Sequence, residues 1–157
     1  KHENTMITTT TSANGTFLLP KNNVDKTYIL EAYHNENTIY GLTTLDLVLT
    51  QRHILGLDTF THPLQFLAAD VNNDKKVTAS DLVHMRKIIL GIDTHFKRNT
   101  SWLFLDETSM KTETNPWLIK RHIDVPSGRH DLDHLRFVAL KVGDVDGALQ
   151  IVNQIQK

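Results

Sequence analysis

Asp70-Val71-Asn72-Asn73-Asp74-Lys75-Lys76-Val77-Thr78-Ala79-Ser80-Asp81 is the stretch on which the fold turns. Side-chain oxygens stand at positions 1, 3, 5 and 12 of this run, and a β-branched residue fills position 8. A hard cation such as Ca²⁺ takes six or more oxygen ligands at about 2.3–2.6 Å, and a short loop supplies them by wrapping the ion. The spacing therefore predicts a calcium site made by Asp70, Asn72, Asp74, the carbonyl of Lys76, and Asp81 at the start of a helix. The blander reading of the same residues is an Asx turn running into an N-cap, since Asp and Asn favour both. Position 6 of such loops is normally Gly, because φ is positive there, and a left-handed Lys75 costs roughly 1–2 kcal/mol. Lys75 and Lys76 also bring positive charge close to the ion, so the expected affinity is that of extracellular modules, on the order of 10⁻⁴ M.

The helix after this loop has a twin thirty-five residues earlier. Residues 41–59 align with residues 76–94, and nine of the nineteen positions are identical. Such a repeat marks a duplicated unit that cannot bury its apolar face alone. Thr43 and Thr78 are the expected N-caps, with Asp46 and Asp81 three residues on completing acidic capping boxes. Leu47, Val48, Ile54 and Leu55 recur as Leu82, Val83, Ile89 and Leu90, one face of a 3.6-period helix. Gly56 and Gly91 fall where a left-handed C-terminal cap belongs. Two short helices packed through these apolar faces are predicted.

A paired loop–helix closing on Asp-x-Asn-x-Asp…Asp resembles the dockerin module, a calcium-loaded adhesion domain that binds cohesin-type receptors. The nearer resemblance is to dockerin-like modules of secreted Gram-negative proteins exported by the type IX route. It is carried by Gly41-Leu-Thr-Thr-Leu-Asp46-Leu-Val-Leu49 and Ala68-Ala-Asp70-Val-Asn-Asn73. The resemblance covers residues 35 to about 100 and implies Asp70, Asn72, Asp74, Lys76 and Asp81 as ligands. It also implies receptor contacts at Thr44, Leu45 and Arg52 of the first copy, and at Ala79, Ser80, Arg86 and Lys87 of the second.

The first copy departs from the pattern. Its loop, Asn35-Glu-Asn37-Thr-Ile39-Tyr-Gly41-Leu-Thr-Thr-Leu-Asp46, has Ile39 at the third ligand position, leaving one carboxylate at its end. Asp144-Val-Asp146-Gly147 reads like the opening half of such a loop with its closing half missing. A split second site is therefore expected, with Asp144 and Asp146 meeting Asp46. The competing reading makes Asp46 a cap and Asp144-Val-Asp-Gly a turn.

The flanks read as β. Residues 1–34 suggest three strands, at Met6–Thr11, Thr16–Leu19 and Thr27–Tyr33, around the turn Ala13-Asn14-Gly15. Thr11-x-x-x-Gly15-x-Phe17, Leu19-Pro20 and Tyr28 resemble the latter part of a carboxypeptidase-regulatory or collagen-adhesin-B-like β-sandwich; the other reading of the Thr run is a disordered linker. Residues 101–147 suggest two or three strands covering the helices, and 148–157 a tail that fits strand or helix equally. The whole is expected to be α+β: a partial sandwich at 1–34, the duplicated loop–helix at 35–100, a β-rich extension and the tail. An incomplete sandwich and a β-capable tail raise a second reading, a filament subunit joined to copies of itself by strand addition.

Composition narrows the function class. Seventeen basic and eighteen acidic residues leave no basic patch for nucleic acid or anionic membrane, and no apolar run is long enough to span a bilayer. Cysteine is absent, which removes disulfides and thiolate chemistry. The first residue is Lys, so a processed or excised chain is expected, and a calcium-dependent fold suits the outside of a cell. No nucleophile elbow or phosphate-cradling Gly loop occurs, and His122 with Arg129-His130-Asp131-Leu-Asp133-His134 reads as solvated loop histidines rather than a metal site. The sequence thus predicts a non-catalytic, calcium-stabilised, extracellular interaction module.

Overall fold

Two helices begin and end in the same way, and the rest of the chain is arranged around them. The computed structural model describes residues 6–18, 27–128, 134–148 and 151. Helix α1 spans Thr44–Ile54; α2 spans Pro63–Ala69; α3 spans Ala79–Ile89. Thr43 and Thr78 are extended N-caps, and each closes a capping box with the Asp three residues on. At the far ends Gly56 (φ +69°) and Gly91 (φ +68°) adopt the left-handed conformation. Gly56 N–H donates to His53 O and Leu57 N–H to Arg52 O, and Gly91 and Ile92 repeat the pair on Ile88 and Lys87. This is the Schellman arrangement, which satisfies carbonyls the helix leaves unpaired.

Helix α2 was not foreseen. His62 caps it, its Nδ1 accepting from Leu64 N–H at 3.2 Å, while Gln65 reaches back to the His62 N–H at 3.2 Å, and Pro63 occupies the first turn. It is the most deeply buried of the helices, with Leu64, Leu67, Ala68 and Ala69 all enclosed.

The periodic faces of α1 and α3 are corrected by the packing. Val48, Leu55, Val83 and Leu90 are exposed, and Leu47 and Ile89 are only partly buried against the core. The fully enclosed positions are Asp46 and Thr50 on α1 and Asp81, Met85 and Ile88 on α3. Each inward face runs from the acidic cap residue down one helical row, because side chains four apart lie above one another. The apolar pairs flank that row.

Strand β2 (Trp102–Asp106) pairs antiparallel with β4 (Phe137–Lys141), Leu103 facing Leu140 and Leu105 facing Val138. Between them lie helix α4 (Glu107–Thr112), a 3₁₀ turn at Pro116–Leu118, and β3 (Ile123–Val125). Leu103, Leu105, Leu140, Val142 and Val145 share one core with Leu64, Leu67, Met85, Ile88 and Phe96. The extension after residue 100 thus supplies core to the helical unit, so the two segments are packed as one body.

The N-terminal expectation is overturned in part. Residues 6–18 form no strand; only the turn at 13–15 appears, with Gly15 at φ +80° and Asn14 Oδ1 accepting from Thr16 N–H at 3.1 Å. The Thr run is exposed and pairs with no strand among the described residues, so its β-propensity is not supported by packing there. Strand β1 is three residues, Tyr28–Leu30, and its antiparallel partner is β3, not another N-terminal strand. Residues 145–148 and 151 are helical; the remainder of the tail, like Leu19 and residues 129–133, lies outside the described residues.

Candidate metal centre

The second loop is folded around its own first residue. Asp70, 2% exposed, accepts the N–H of Asp74 at 3.0 Å on Oδ1 and that of Lys75 at 2.9 Å on Oδ2. Asn72 Oδ1 accepts from Asp74 N–H, and Asp74 Oδ1 from Lys76 N–H, each at 3.0 Å. The wrap needs left-handed backbone at Asn73 (φ +56°) and Lys75 (φ +64°). Asp81 closes it from inside α3: Oδ1 accepts from Asn72 N–H at 3.3 Å, and Oδ2 from Thr78 N–H at 2.9 Å. One carboxylate therefore joins the loop to the helix cap.

The electrostatics are those of anions brought together. Burial raises the Asp70 carboxyl, and the charges of Asp81 and Asp74 add to the rise against backbone N–H groups that lower it. Burial likewise raises Asp81, with Asp74 contributing. Among the described residues no ion pair neutralises the three carboxylates. Arg121 comes near but donates to Asn73 Oδ1 at 3.4 Å. Asp70 and Asp81 are desolvated while Asp74 is exposed, and the three do not gather as closely as Asp46, Asp144 and Asp146 do; the donors are all oxygen, the kind a hard divalent cation takes.

The first loop is built differently. Its opening half is tied away from α1: Asn35 Oδ1 accepts from Ser101 N–H at 2.8 Å, and Glu36 O accepts from Ser101 Oγ at 2.9 Å. Ile39 is exposed. In place of that half comes the segment after β4. Asp46, fully buried, holds Thr43 N–H on Oδ2 at 2.8 Å, and on Oδ1 the N–H groups of Val145 at 2.6 Å and Asp146 at 3.2 Å. One carboxylate oxygen from each of Asp46, Asp144 and Asp146 lies within 4.8 Å of the others, the one such acidic group among the described residues.

Two glycines let the backbone come close to the Asp144 carboxylate. A Cβ on Gly147 or Gly41 would collide with the Asp144 carboxylate, and Gly41 also sits at φ +76°. Burial, with the charges of Asp46 and Asp146, pushes the Asp144 carboxyl up to about 6, against the Gly147 N–H that lowers it. Burial raises Asp46 as well. Lys141, 4% exposed, is brought down to about 8 by burial, with the charge of Asp144 opposing. Its Nζ donates to Thr38 O at 2.8 Å and Val142 O at 3.2 Å and sits 5.8 Å from the Trp102 ring, so it steadies the displaced loop half rather than pairing with the cluster. This donor set too suits Ca²⁺.

The residues expected to meet a receptor lie outside the core. Thr44, Leu45, Arg52, Ala79, Ser80 and Arg86 are exposed, and Lys87 is half-buried. Arg52 Nε stands 3.6 Å from Asp58 Oδ2. Beside them are Val48 and Leu55 on one unit and Val83 and Leu90 on the other, which the 3.6-residue period places on the packed face, together with the exposed Leu57 and Ile92. Recurrence in both copies is equally consistent with packing and with contact, and only the structure separates them.

The class defined here is a pair of like-capped helices, with Asp46, Asp144 and Asp146 gathered at the N-terminus of α1 and Asp81 bonded to the Asp70–Lys76 loop at that of α3. Residues 42–100 match the family model described as the dockerin type I domain, a segment covering less than half of the 157-residue chain. No curated protein and no solved structure matches the chain. The matched segment holds Asp46 and the whole second loop, while Asp144 and Asp146 fall outside it. No helix among the described residues is long and apolar enough to cross a membrane.

Proposed function

We propose that this chain is a non-catalytic, extracellular or cell-surface interaction module that binds Ca²⁺ and presents α1 and α3 to a protein partner. The observation that carries the reading is a dockerin type I segment whose two capping-box acids, Asp46 and Asp81, are buried carboxylates, the first beside Asp144 and Asp146 and the second bonded to the loop of Asp70 and Asn72. Asp70, Asn72, Asp74, the Lys76 carbonyl and Asp81 hold one ion. Asp46, Asp144 and Asp146 hold a second, with the loop contributed in two pieces from opposite ends of the chain. The ion neutralises converging carboxylates and pins loop to helix, so binding energy becomes folding energy.

The partner surface in this reading is the exposed flank of Thr44, Leu45 and Arg52 with Ala79, Ser80, Arg86 and Lys87, and the partner is a cohesin-type receptor. Export by the type IX route belongs to the same proposal. Nothing in the fold favours the filament reading, since residues 6–18 form no strand.

Thermal unfolding with millimolar Ca²⁺ and with EGTA tests the proposal. The melting temperature should rise by several degrees with calcium, since a ligand at about ten times its dissociation constant stabilises by about 1.4 kcal/mol per site. Indifference to chelator would overturn it.

A further inference from the structure

A cavity of about 390 Å³ opens beside the second loop, lined by Asn72, Asp74, Ser80, His84, Lys97 and Arg98. It brings an outward-facing part of the loop together with two cations from the segment after α3. Lys97 and Arg98 are exposed, and among the described residues neither makes an ion pair. They are nevertheless held in place. Phe96 on one side is buried in the core, and Asn99 on the other donates from Nδ2 to the carbonyl of Asp70 at 3.0 Å. The cation pair is thereby tied to the first residue of the calcium loop. His84 Nδ1 lies 2.8 Å from the Ser80 carbonyl, which can only accept, so the proton sits on Nδ1 and Nε2 is the ring's remaining polar atom.

The charges in the cavity do not balance. Asp74 offsets one of the two cations, and its carboxylate is also a loop ligand in the function proposed above. When an ion takes up the Asp74 charge, Lys97 and Arg98 face the cavity uncompensated. We propose that the cavity is a subsite for a carboxylate side chain of the protein partner, gripped by Lys97 and Arg98 and strengthened when calcium occupies the neighbouring loop. Arg presents a fork of donors matched to a carboxylate, and Lys adds a point charge. Ser80 lies both here and on the proposed contact surface, so the anchored acid would sit at the edge of the docked face. This inference rests on the interaction-module reading.

The test is an NMR titration of the calcium-loaded protein with acetyl-Ala-Glu-Ala-amide. Amide shifts should move at Ser80, His84, Lys97 and Arg98 at millimolar peptide. Affinity should fall at least fivefold in Lys97→Ala/Arg98→Ala, and also in the wild type with EGTA. No localised shifts, unchanged binding by the double variant, or equal binding without calcium would overturn the proposal. Tighter binding of sulfate than of the peptide at the same residues would also overturn it, by assigning the cavity to a free oxyanion. Calcium-dependent melting of the wild type is read separately, so failure of the subsite is distinguishable from failure of the module.

Discussion

Asp46 Oδ1 accepts the backbone N–H of Val145 at 2.6 Å across ninety-nine residues of sequence. The same carboxylate caps its own helix, through Thr43 N–H and Thr43 Oγ1 on Oδ2. One side chain therefore starts α1 and fastens the segment after β4 to it. Asp81 plays the matching part for the second loop with Asn72 N–H, but there the loop and the helix are contiguous. In the first unit the corresponding bonds come from Val145 and Asp146, far away in the sequence.

Asp46 and Asp144 should respond oppositely to neutral substitution when calcium is withheld. Asp46→Ala orphans the Val145, Asp146 and Thr43 N–H groups and should cost about 2–4 kcal/mol with or without calcium. Asp144→Asn removes a carboxylate raised by burial and by its acidic neighbours. It should stabilise the metal-free protein by on the order of 1 kcal/mol, after allowance for solvent screening. In saturating calcium it should destabilise. Urea unfolding in both conditions checks the reversal of sign, and destabilisation in both would remove the like-charge argument.

Calcium binding should weaken in acid. Asp144 titrates near 6 in the fold, and Asp46, Asp70 and Asp81 are raised in the same direction, mainly by burial. A raised carboxyl contributes stability that is present below its unfolded value of 3.8 and lost as pH climbs through the folded one. The metal-free protein therefore gains from these groups as pH falls from neutral through 6. His53 and His62 act the other way. Burial lowers both, and their Nδ1 atoms accept from Phe60 and Leu64 N–H, so their contribution is present above the unfolded value of 6.5 and lost below the folded one. Neither histidine lies in the carboxylate clusters, so the calcium-induced shift in melting temperature isolates the acids. Proton competition at the Asp46–Asp144–Asp146 cluster should weaken binding about tenfold between pH 7 and pH 5. A calcium-induced shift constant across that range would contradict the assignment.

Much of this was written in the sequence, and the omissions have physical causes. The capping boxes and terminal glycines were legible because they are local: each needs a hydroxyl, a carboxylate or a missing Cβ at fixed spacing. The convergence of Asp144 and Asp146 on Asp46 was legible only as two loop halves, each lacking its complement. Helix α2 was missed although His62-Pro63-Leu-Gln65 is a capping box, because His is an uncommon cap. Apolar period could not say that Val48 and Val83 face solvent while Asp46 and Asp81 face the core. Of the three N-terminal strands only Tyr28–Leu30 forms, and its partner Ile123–Val125 is nearly a hundred residues away; residues 6–18 form none.

Lys75→Gly should stabilise the second loop. Lys75 holds φ +64°, a conformation that costs an L-residue roughly 1–2 kcal/mol and glycine nothing comparable. The calcium-loaded protein should melt about 2–4 °C higher, the shift that 1 kcal/mol gives in a domain of this size. A lower melting temperature would show that Lys75 contributes contacts outweighing its backbone strain.

Thr50→Val should be neutral or stabilising. Thr50 is fully enclosed one turn along α1 from Asp46, and its hydroxyl has no hydrogen-bond partner among the described residues. A methyl in its place removes a desolvation cost of about 1–3 kcal/mol without changing volume much. Chemical denaturation reads the change, and a clear loss of stability would show that the hydroxyl is satisfied in solution.

Isothermal titration of the chelator-treated chain with CaCl₂ is the most direct test of the central claim, that both helix caps close calcium sites. Two ions per chain are expected, falling to one in Asp144→Asn/Asp146→Asn and to one in Asp70→Asn/Asp81→Asn. Absence of binding heat up to millimolar calcium, or a stoichiometry unmoved by either pair of substitutions, would contradict it.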